Sequence, residues 1–325
     1  MTAPTTLRRV APTAVQVLPH TAPREEWLAA RRMGIGASEI AAVMGISPYD
    51  SPFSLWWRKH MSWDVEPSDE MRAGTYLEPT IAEWFAEHGD PLENLAIRRA
   101  GLYAHPERPW QLATPDRLIH MACVECDGSG IGRDLHMGLY SLPCQHCTDG
   151  TAGLVGLLEC KWVAYTWDGW GDEDTDMVPV HYRAQVQWQM DVMGVSEVFV
   201  CALGPGGFRT YRVRRDERDL VAMREAGRRF MQRLADGEPP DVDDHSATLP
   251  ILRRINALIE DREQEIPAPI ATGWLRAKKF KGLADRVEKR YSAQLRAHLG
   301  TAKTATHDGQ IIAARTTDDK LMRKS

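Results

Sequence analysis

The stretch Leu154-Val155-Gly156-Leu157-Leu158-Glu159-Cys160-Lys161 places a carboxylate and an ammonium two positions apart at the end of an apolar run. Side chains alternate across a strand, so a strand here turns Glu159 and Lys161 to one face and Cys160 to the other. An ordinary surface pair has the same pattern, and the surrounding sequence decides between the two. Upstream, Ala113-Thr114-Pro115-Asp116 sets a second carboxylate just past an apolar stretch. Downstream, Tyr182 to Met190 reads as a helix with Gln185 and Gln189 four apart on one face. Two carboxylates and a lysine suit a divalent ion and the activation of water against a phosphodiester.

Composition frames this reading. The 325 residues suffice for one large domain, or for one domain with additions. Hydrophobic residues make up 43% and charged residues 26%, as in ordinary globular proteins. The formal net charge of -5 neither marks nor excludes a DNA-binding protein, because a cleft can be positive under an acidic surface. No apolar run reaches the roughly 18 residues of a membrane span, and the N-terminus has no apolar signal core. The expected location is the cytoplasm.

Four of the six cysteines form two C-x-x-C pairs, Cys123/Cys126 and Cys144/Cys147, 17 residues apart. Each pair runs into a Gly-containing turn, and in a reducing compartment such a set favours a metal over disulfides. The spacing suits a tetrahedral four-thiolate Zn²⁺ site and resembles zinc ribbons and the cysteine-rich repeats of DnaJ-type chaperones. An iron–sulfur cluster is the rival occupant. His136 and His146 lie nearby as substitute ligands, although the cysteine set is already complete.

Composition also marks the domain limits. Residues 1–22, rich in Thr, Ala and Pro, read as a flexible arm. A core over 23–235 is interrupted by the four-cysteine insertion at 121–152. Helices are expected over 23–32, 39–44 and 69–88, with Met71, Thr75, Glu78, Ala82 and Phe85 forming an inward stripe on the last. Pro79 should kink or restart that helix. Strands are expected over 95–103 and 110–114, and a hairpin over 198–213. The arginines that follow, over 216–234, read mainly as a charge-balanced surface helix. An acidic, proline-containing link with a short helix spans 236–269. A basic extension, 270–325, carries 13 Lys or Arg against 5 Asp or Glu.

Asp116 followed by Glu159-x-Lys161 resembles the split signature of the restriction-endonuclease-like nuclease superfamily. Arg31-Arg32-Met33-Gly34-Ile35-Gly36-Ala37-Ser38-Glu39-Ile40, Gly74-Thr75-Tyr76-Leu77-Glu78-Pro79 and Ala184-Gln185-Val186-Gln187-Trp188 resemble, in order, the motifs of the YqaJ-type viral recombinase family, which includes the exonuclease of phage lambda. The resemblance implies an α/β fold, a restriction-endonuclease-like core with a mixed central sheet flanked by helices, here with the small zinc-binding module inserted. It implies Mg²⁺ or Mn²⁺ on Asp116, Glu159 and the backbone carbonyl of Cys160. Lys161 would serve the water and the phosphate, Glu78 a metal-bound water or a second ion, and Gln185 would fix Lys161, the water or the phosphate. Arg31 and Ser38 would take a DNA 5′-phosphate. Gln187 is a further substrate contact to test. So is Arg117, which stands where the family pattern has Gly.

The same resemblance implies a 5′ to 3′ exonuclease on linear double-stranded DNA that leaves 3′ single strands for a single-strand annealing protein in phage recombination. It also implies a homo-oligomer, often a trimer. Two alternatives stay open: a repair or defence nuclease acting on flaps or single strands, and a zinc-containing DNA-binding or scaffold protein with a vestigial nuclease site.

Overall fold

The run that sets Glu159 beside Lys161 lies in a strand of 12 residues, Thr151–Trp162. The structure, a computed structural model, describes residues 13–88, 95–131, 143–147, 149–318 and 320–323. It divides into two units, 1–257 and 258–325.

In the first unit the chain makes strand β1 (Val15–Leu18), helix α1 (Arg24–Arg32), the short strand β2 (Ile35–Gly36) and helices α2 (Ile40–Val43), α3 (Pro52–His60) and α4 (Asp69–His88). Strands β3 (Leu95–Arg99), β4 (Leu102–Ala104), β5 (Gln111–Ala113), β6 (Arg117–Ala122) and β7 (Thr151–Trp162) follow. Helix α5 (Val180–Met193), strands β8 (Glu197–Gly204) and β9 (Gly207–Arg214), and helices α6 (Glu217–Asp236) and α7 (Thr248–Ile255) complete it.

The main sheet has the order β3-β6-β7-β8-β9. All neighbours are antiparallel except β7 and β8. A parallel pair needs a crossover, and α5 lies in that connection. Strand β7 is apolar because both its faces are covered. Val155, Leu158 and Cys160 pack with Ile81, Ala82 and Phe85 of α4. Leu154 and Leu157 pack with Val186, Trp188 and Met190 of α5. A register slip opposite Ile119 and His120 lets Leu154 and Leu157, three apart, join one cluster. The mixed sheet flanked by helices is the expected fold class.

Several local expectations change. Residues 95–103 form two strands in different sheets, because Gly101 approaches the chain closely: a Cβ there would meet the Leu18 carbonyl oxygen at 2.1 Å. The contact belongs to a second sheet, β1-β4-β5-β2. The expected arm therefore includes a paired strand, β1, joined to β4. Pro79 lies inside a helix that continues from Asp69 to His88. The inward stripe begins late, with Leu77 packed on the buried Ile81, Ala82 and Phe85 while Met71 and Thr75 are exposed. The short helix expected in the link belongs to the first unit, where Thr248 Oγ1 lies 3.1 Å from Ser51 Oγ of the α3 N-cap.

In the second unit, the long helix α8 (Ala268–Leu299) is followed by strands β10 (Thr304–His307), β11 (Gln310–Arg315) and β12 (Leu321–Arg323). These form an antiparallel sheet in sequence order.

Candidate active site

Strand β7 delivers Glu159 and Lys161 to the α5 face, and α5 meets them with amides. Lys161 Nζ donates to Glu159 Oε1 at 2.6 Å and to Gln185 Oε1 at 3.1 Å. Gln185 Nε2 donates to the same Glu159 oxygen, and Gln189 Nε2 to Glu159 Oε2 at 2.7 Å. Glu159 is only 3% exposed. Beneath the ammonium lies the ring of Tyr182, 4.6 Å from Nζ to centroid. Asp116, at the turn before β6, reaches across to β7, where its Oδ2 accepts the Cys160 N–H at 2.7 Å. The Cys160 side chain packs on the α4 face, and burial pushes its thiol well above the usual range.

The electrostatics show what the cluster lacks. Burial raises the Asp116 carboxyl well above its ordinary value, and the charges of Glu159 and Glu78 raise it further. Lys161 and the Cys160 N–H offset only part of this. Burial pulls Lys161 down, but Glu159 and Asp116 outweigh it, so the ammonium is held above its usual range. Tyr182 is pushed up to about 12, chiefly by burial, and His181 down to about 4 by burial and then by Lys161. Gln189 Oε1 is buried without a hydrogen-bond partner among the described residues. Asp116 and Glu159, close enough that one charge raises the other, are oxygen donors of the kind a hard divalent cation takes.

Glu78 is drawn to Arg117, whose Nη1 donates to Glu78 Oε1 at 2.6 Å and to the Asp116 carbonyl at 2.7 Å. Arg117 is 7% exposed, so this guanidinium braces the turn that carries Asp116 and offers little surface to a substrate. Gln187 is a clearer correction. It is fully buried, donates to the Arg214 carbonyl at 2.7 Å and accepts the Asp216 N–H at 2.9 Å. Two residues along a helix point about 200° apart, and Gln187 ties α5 to the start of α6.

A second polar cluster forms at the end of α1. Arg31 Nη2 donates to Ser38 Oγ at 3.0 Å and lies 3.7 Å from Glu39, with its guanidinium 4.6 Å from the Trp27 ring centre. Glycine at 36 keeps this approach open, since a Cβ there would meet the guanidinium at 2.9 Å. Lys59 joins from α3, 2.9 Å from Glu39 and donating to the Gly34 carbonyl at 2.6 Å. Burial would raise the Glu39 carboxyl, but Lys59 and Arg31 together hold it below its usual range. Lys59, Tyr182 and Gln189 are additions that the motifs did not single out. Only Gln189 left a signal, its four-residue spacing from Gln185.

The four cysteines converge. Their sulfurs all lie within 4.8 Å of one another, the only such set of three or more His, Cys, Asp or Glu ligand atoms among the described residues. Gly130 N–H donates to Cys126 Sγ at 3.3 Å, and Cys144 N–H to the Gly130 carbonyl at 2.8 Å. Gly150, at φ +88°, lies so close to the facing turn that a Cβ would meet the Gly128 oxygen at 2.1 Å. His146 is exposed and outside the set, and His136 lies outside the described residues. A four-sulfur donor set fits a soft-ligand tetrahedral ion.

Fold and site together define a helix-flanked α/β domain with a buried carboxylate–lysine–amide centre and a thiolate cluster in one hairpin. Residues 26–196 match the family model of the YqaJ-like viral recombinase domain, and the chain belongs to that family. The YqaJ protein of Bacillus subtilis (strain 168), described as uncharacterized, is 26% identical over 247 residues, or 74% of this chain. The chain spans 66% of that relative, just under two thirds. An alkaline exonuclease from Laribacter hongkongensis (LHK-Exo) is a similar solved structure, 20% identical with a TM-score of 0.45, over 72% of this chain and 98% of that one. A phage-related exonuclease from Haemophilus somnus 129PT is 9% identical with a TM-score of 0.38, over 63% and 96%. No helix among the described residues is long and apolar enough to cross a membrane.

Proposed function

We propose that the chain is a metal-dependent deoxyribonuclease that hydrolyses linear double-stranded DNA from the 5′ end and leaves 3′ single strands. The observation that carries this reading is the Lys161 ammonium, held between Glu159 and Gln185 on the strand whose Cys160 N–H donates to Asp116. Membership of a viral recombinase family supports the DNA substrate and a role in phage recombination. The resemblance further suggests a ring-shaped homo-oligomer, a trimer, that feeds a single-strand annealing protein.

Asp116, Glu159 and the Cys160 carbonyl would hold Mg²⁺ or Mn²⁺, which supplies Lewis-acid charge at the scissile phosphate. The chain's own groups do the positioning. Lys161, kept protonated by its carboxylate neighbours, offers a charged donor to the phosphate oxygens and orients the attacking water. Gln185 fixes that ammonium from α5, and Gln189 fixes the far oxygen of Glu159. Glu78 orients a water while Arg117 steadies it. Arg31 and Ser38 take the terminal 5′-phosphate, where a guanidinium fork matches the anion. The cysteine quartet would hold a structural Zn²⁺, a tetrahedral ion that takes four thiolates.

The test is strand-labelled linear duplex, with and without a 5′-phosphate, incubated in Mg²⁺, Mn²⁺ or EDTA. Metal-dependent loss from the phosphorylated 5′ end is expected. Lys161→Ala and Glu159→Ala should each lower the rate by at least about a hundredfold, the scale of one lost charge-stabilising group, while duplex binding persists. Cleavage by Lys161→Ala at the wild-type rate would sink the assigned centre. Cleavage confined to circular or single-stranded DNA would favour the repair or defence reading.

A further inference from the structure

Positive charge is unevenly divided. Residues 1–257 carry 26 Lys or Arg against 36 Asp or Glu, whereas residues 258–325 carry 14 against 9. In the first unit many arginines are already neutralised. Asp191 takes hydrogen bonds from Arg108, Arg215 and Arg224. Arg212 is bonded twice to Glu197, and Arg228 and Arg229 share Glu225. The arginine-bearing helix α6 is thus a balanced surface, as its sequence suggested.

Helix α8 is different. It has 8 Lys or Arg against 2 Asp or Glu, and none of its residues is buried. At about 100° per residue, Lys278, Lys279, Arg286, Lys289 and Arg290 fall within an arc of about 120°. Asp285 and Glu288 fall outside that arc. None of the five pairs with a carboxylate among the described residues, and Lys278 has only the Trp274 ring, 5.3 Å away. The apolar residues Phe280, Leu283, Val287 and Tyr291 make a separate stripe, so from Lys278 to Arg290 the arc holds only cations and Gly282. From Lys278 to Arg290 the helix rises about 18 Å, the length over which one DNA strand presents about five phosphates.

We propose that the basic face of α8 is a sequence-independent binding surface for the phosphate backbone of duplex DNA. It places on the second unit the positive charge that the acidic first unit lacks. The inference rests on the proposed function only in taking DNA as the substrate.

The test uses the full chain in EDTA, with binding to a fluorescein-labelled blunt duplex followed by anisotropy across a salt series. The variant K278Q/K279Q/R286Q/K289Q/R290Q should bind at least about tenfold more weakly at 0.15 M salt. Its slope of log affinity against log salt should fall by about 0.9 for each phosphate that the helix no longer neutralises. The charge-preserving variant K278R/K279R/R286K/K289R/R290K should keep both. Unchanged affinity and slope in the glutamine variant overturn the proposal, as does equal weakening in the two variants. Loss of binding to phosphatidylserine vesicles with DNA affinity unchanged also overturns it. Cleavage in Mg²⁺ separates the two readings. Cleavage by the wild type, with affinity and salt slope unchanged in the glutamine variant, removes only the α8 surface, whereas charge-dependent binding without any cleavage removes only the nuclease reading.

Discussion

Asp191 exposes 2% of its side chain yet accepts hydrogen bonds from three guanidinium groups, and from Gln111 at 2.8 Å. Burial opposes its charge, but Arg224, Gln111 and Arg215 reverse that and hold the carboxyl well below the usual range. Removing one partner of a buried ionic network strands the others, so Asp191→Ala should cost roughly 3–5 kcal/mol in denaturant unfolding. A depressed carboxylate stabilises the fold above its unfolded value of about 3.9 and loses that contribution as pH falls toward the folded value. Wild type should therefore lose stability below about pH 4 more steeply than Asp191→Asn. Asp116 has the opposite sign. Its raised carboxyl means that ionisation is unfavourable in the metal-free fold, a penalty that grows as pH rises. Asp116→Asn should raise the Tm at pH 8 in EDTA. Wild type alone should gain on adding Mg²⁺, by about 2.7 kcal/mol at a hundredfold excess over Kd. At this scale the motif residues were readable because strand alternation and helix spacing are local rules. Lys59 and Tyr182 were not, since their roles come from contacts between elements far apart in sequence.

The elements follow the same logic. Strand β7 was legible because an apolar run ending in Glu159-Cys160-Lys161 admits one facing, and the structure adopts it. The division between β3 and β4 was not, because it depends on Gly101 meeting the Leu18 carbonyl. The cysteine hairpin was legible from spacing alone, and its four sulfurs do gather. If they hold zinc, purified protein should contain one zinc per chain by elemental analysis. Cys144→Ser, or exposure to a strong chelator, should release it and lower the Tm, while kcat on duplex DNA stays within about twofold. Loss of the metal with an unchanged Tm would mean that the ion does not stabilise the hairpin.

At the scale of the molecule, the order of motifs along the chain pointed to the central strands that carry the candidate centre, but the two-unit division was less clear. Composition placed the boundary near the acidic, proline-containing stretch after residue 235, whereas the first unit extends to 257 and keeps α7. The reason is packing: α7 buries Ile251 and places Thr248 against the α3 cap, contacts that no local pattern announces. The strand pair β6–β7 has a further consequence. Glu159 and Thr151 are eight residues apart on β7, roughly 25 Å at strand rise, so the cysteine hairpin leaves from the opposite end to the carboxylates. Ala122 and Thr151 face each other in register, the geometry that a two-residue Asn-Gly turn closes. The insertion therefore sits in a socket. Replacing residues 123–150 with that turn, or with a fluorescent or affinity domain, should give a protein that still digests duplex DNA. A family member could thus acquire or exchange a docking head without retuning its chemistry.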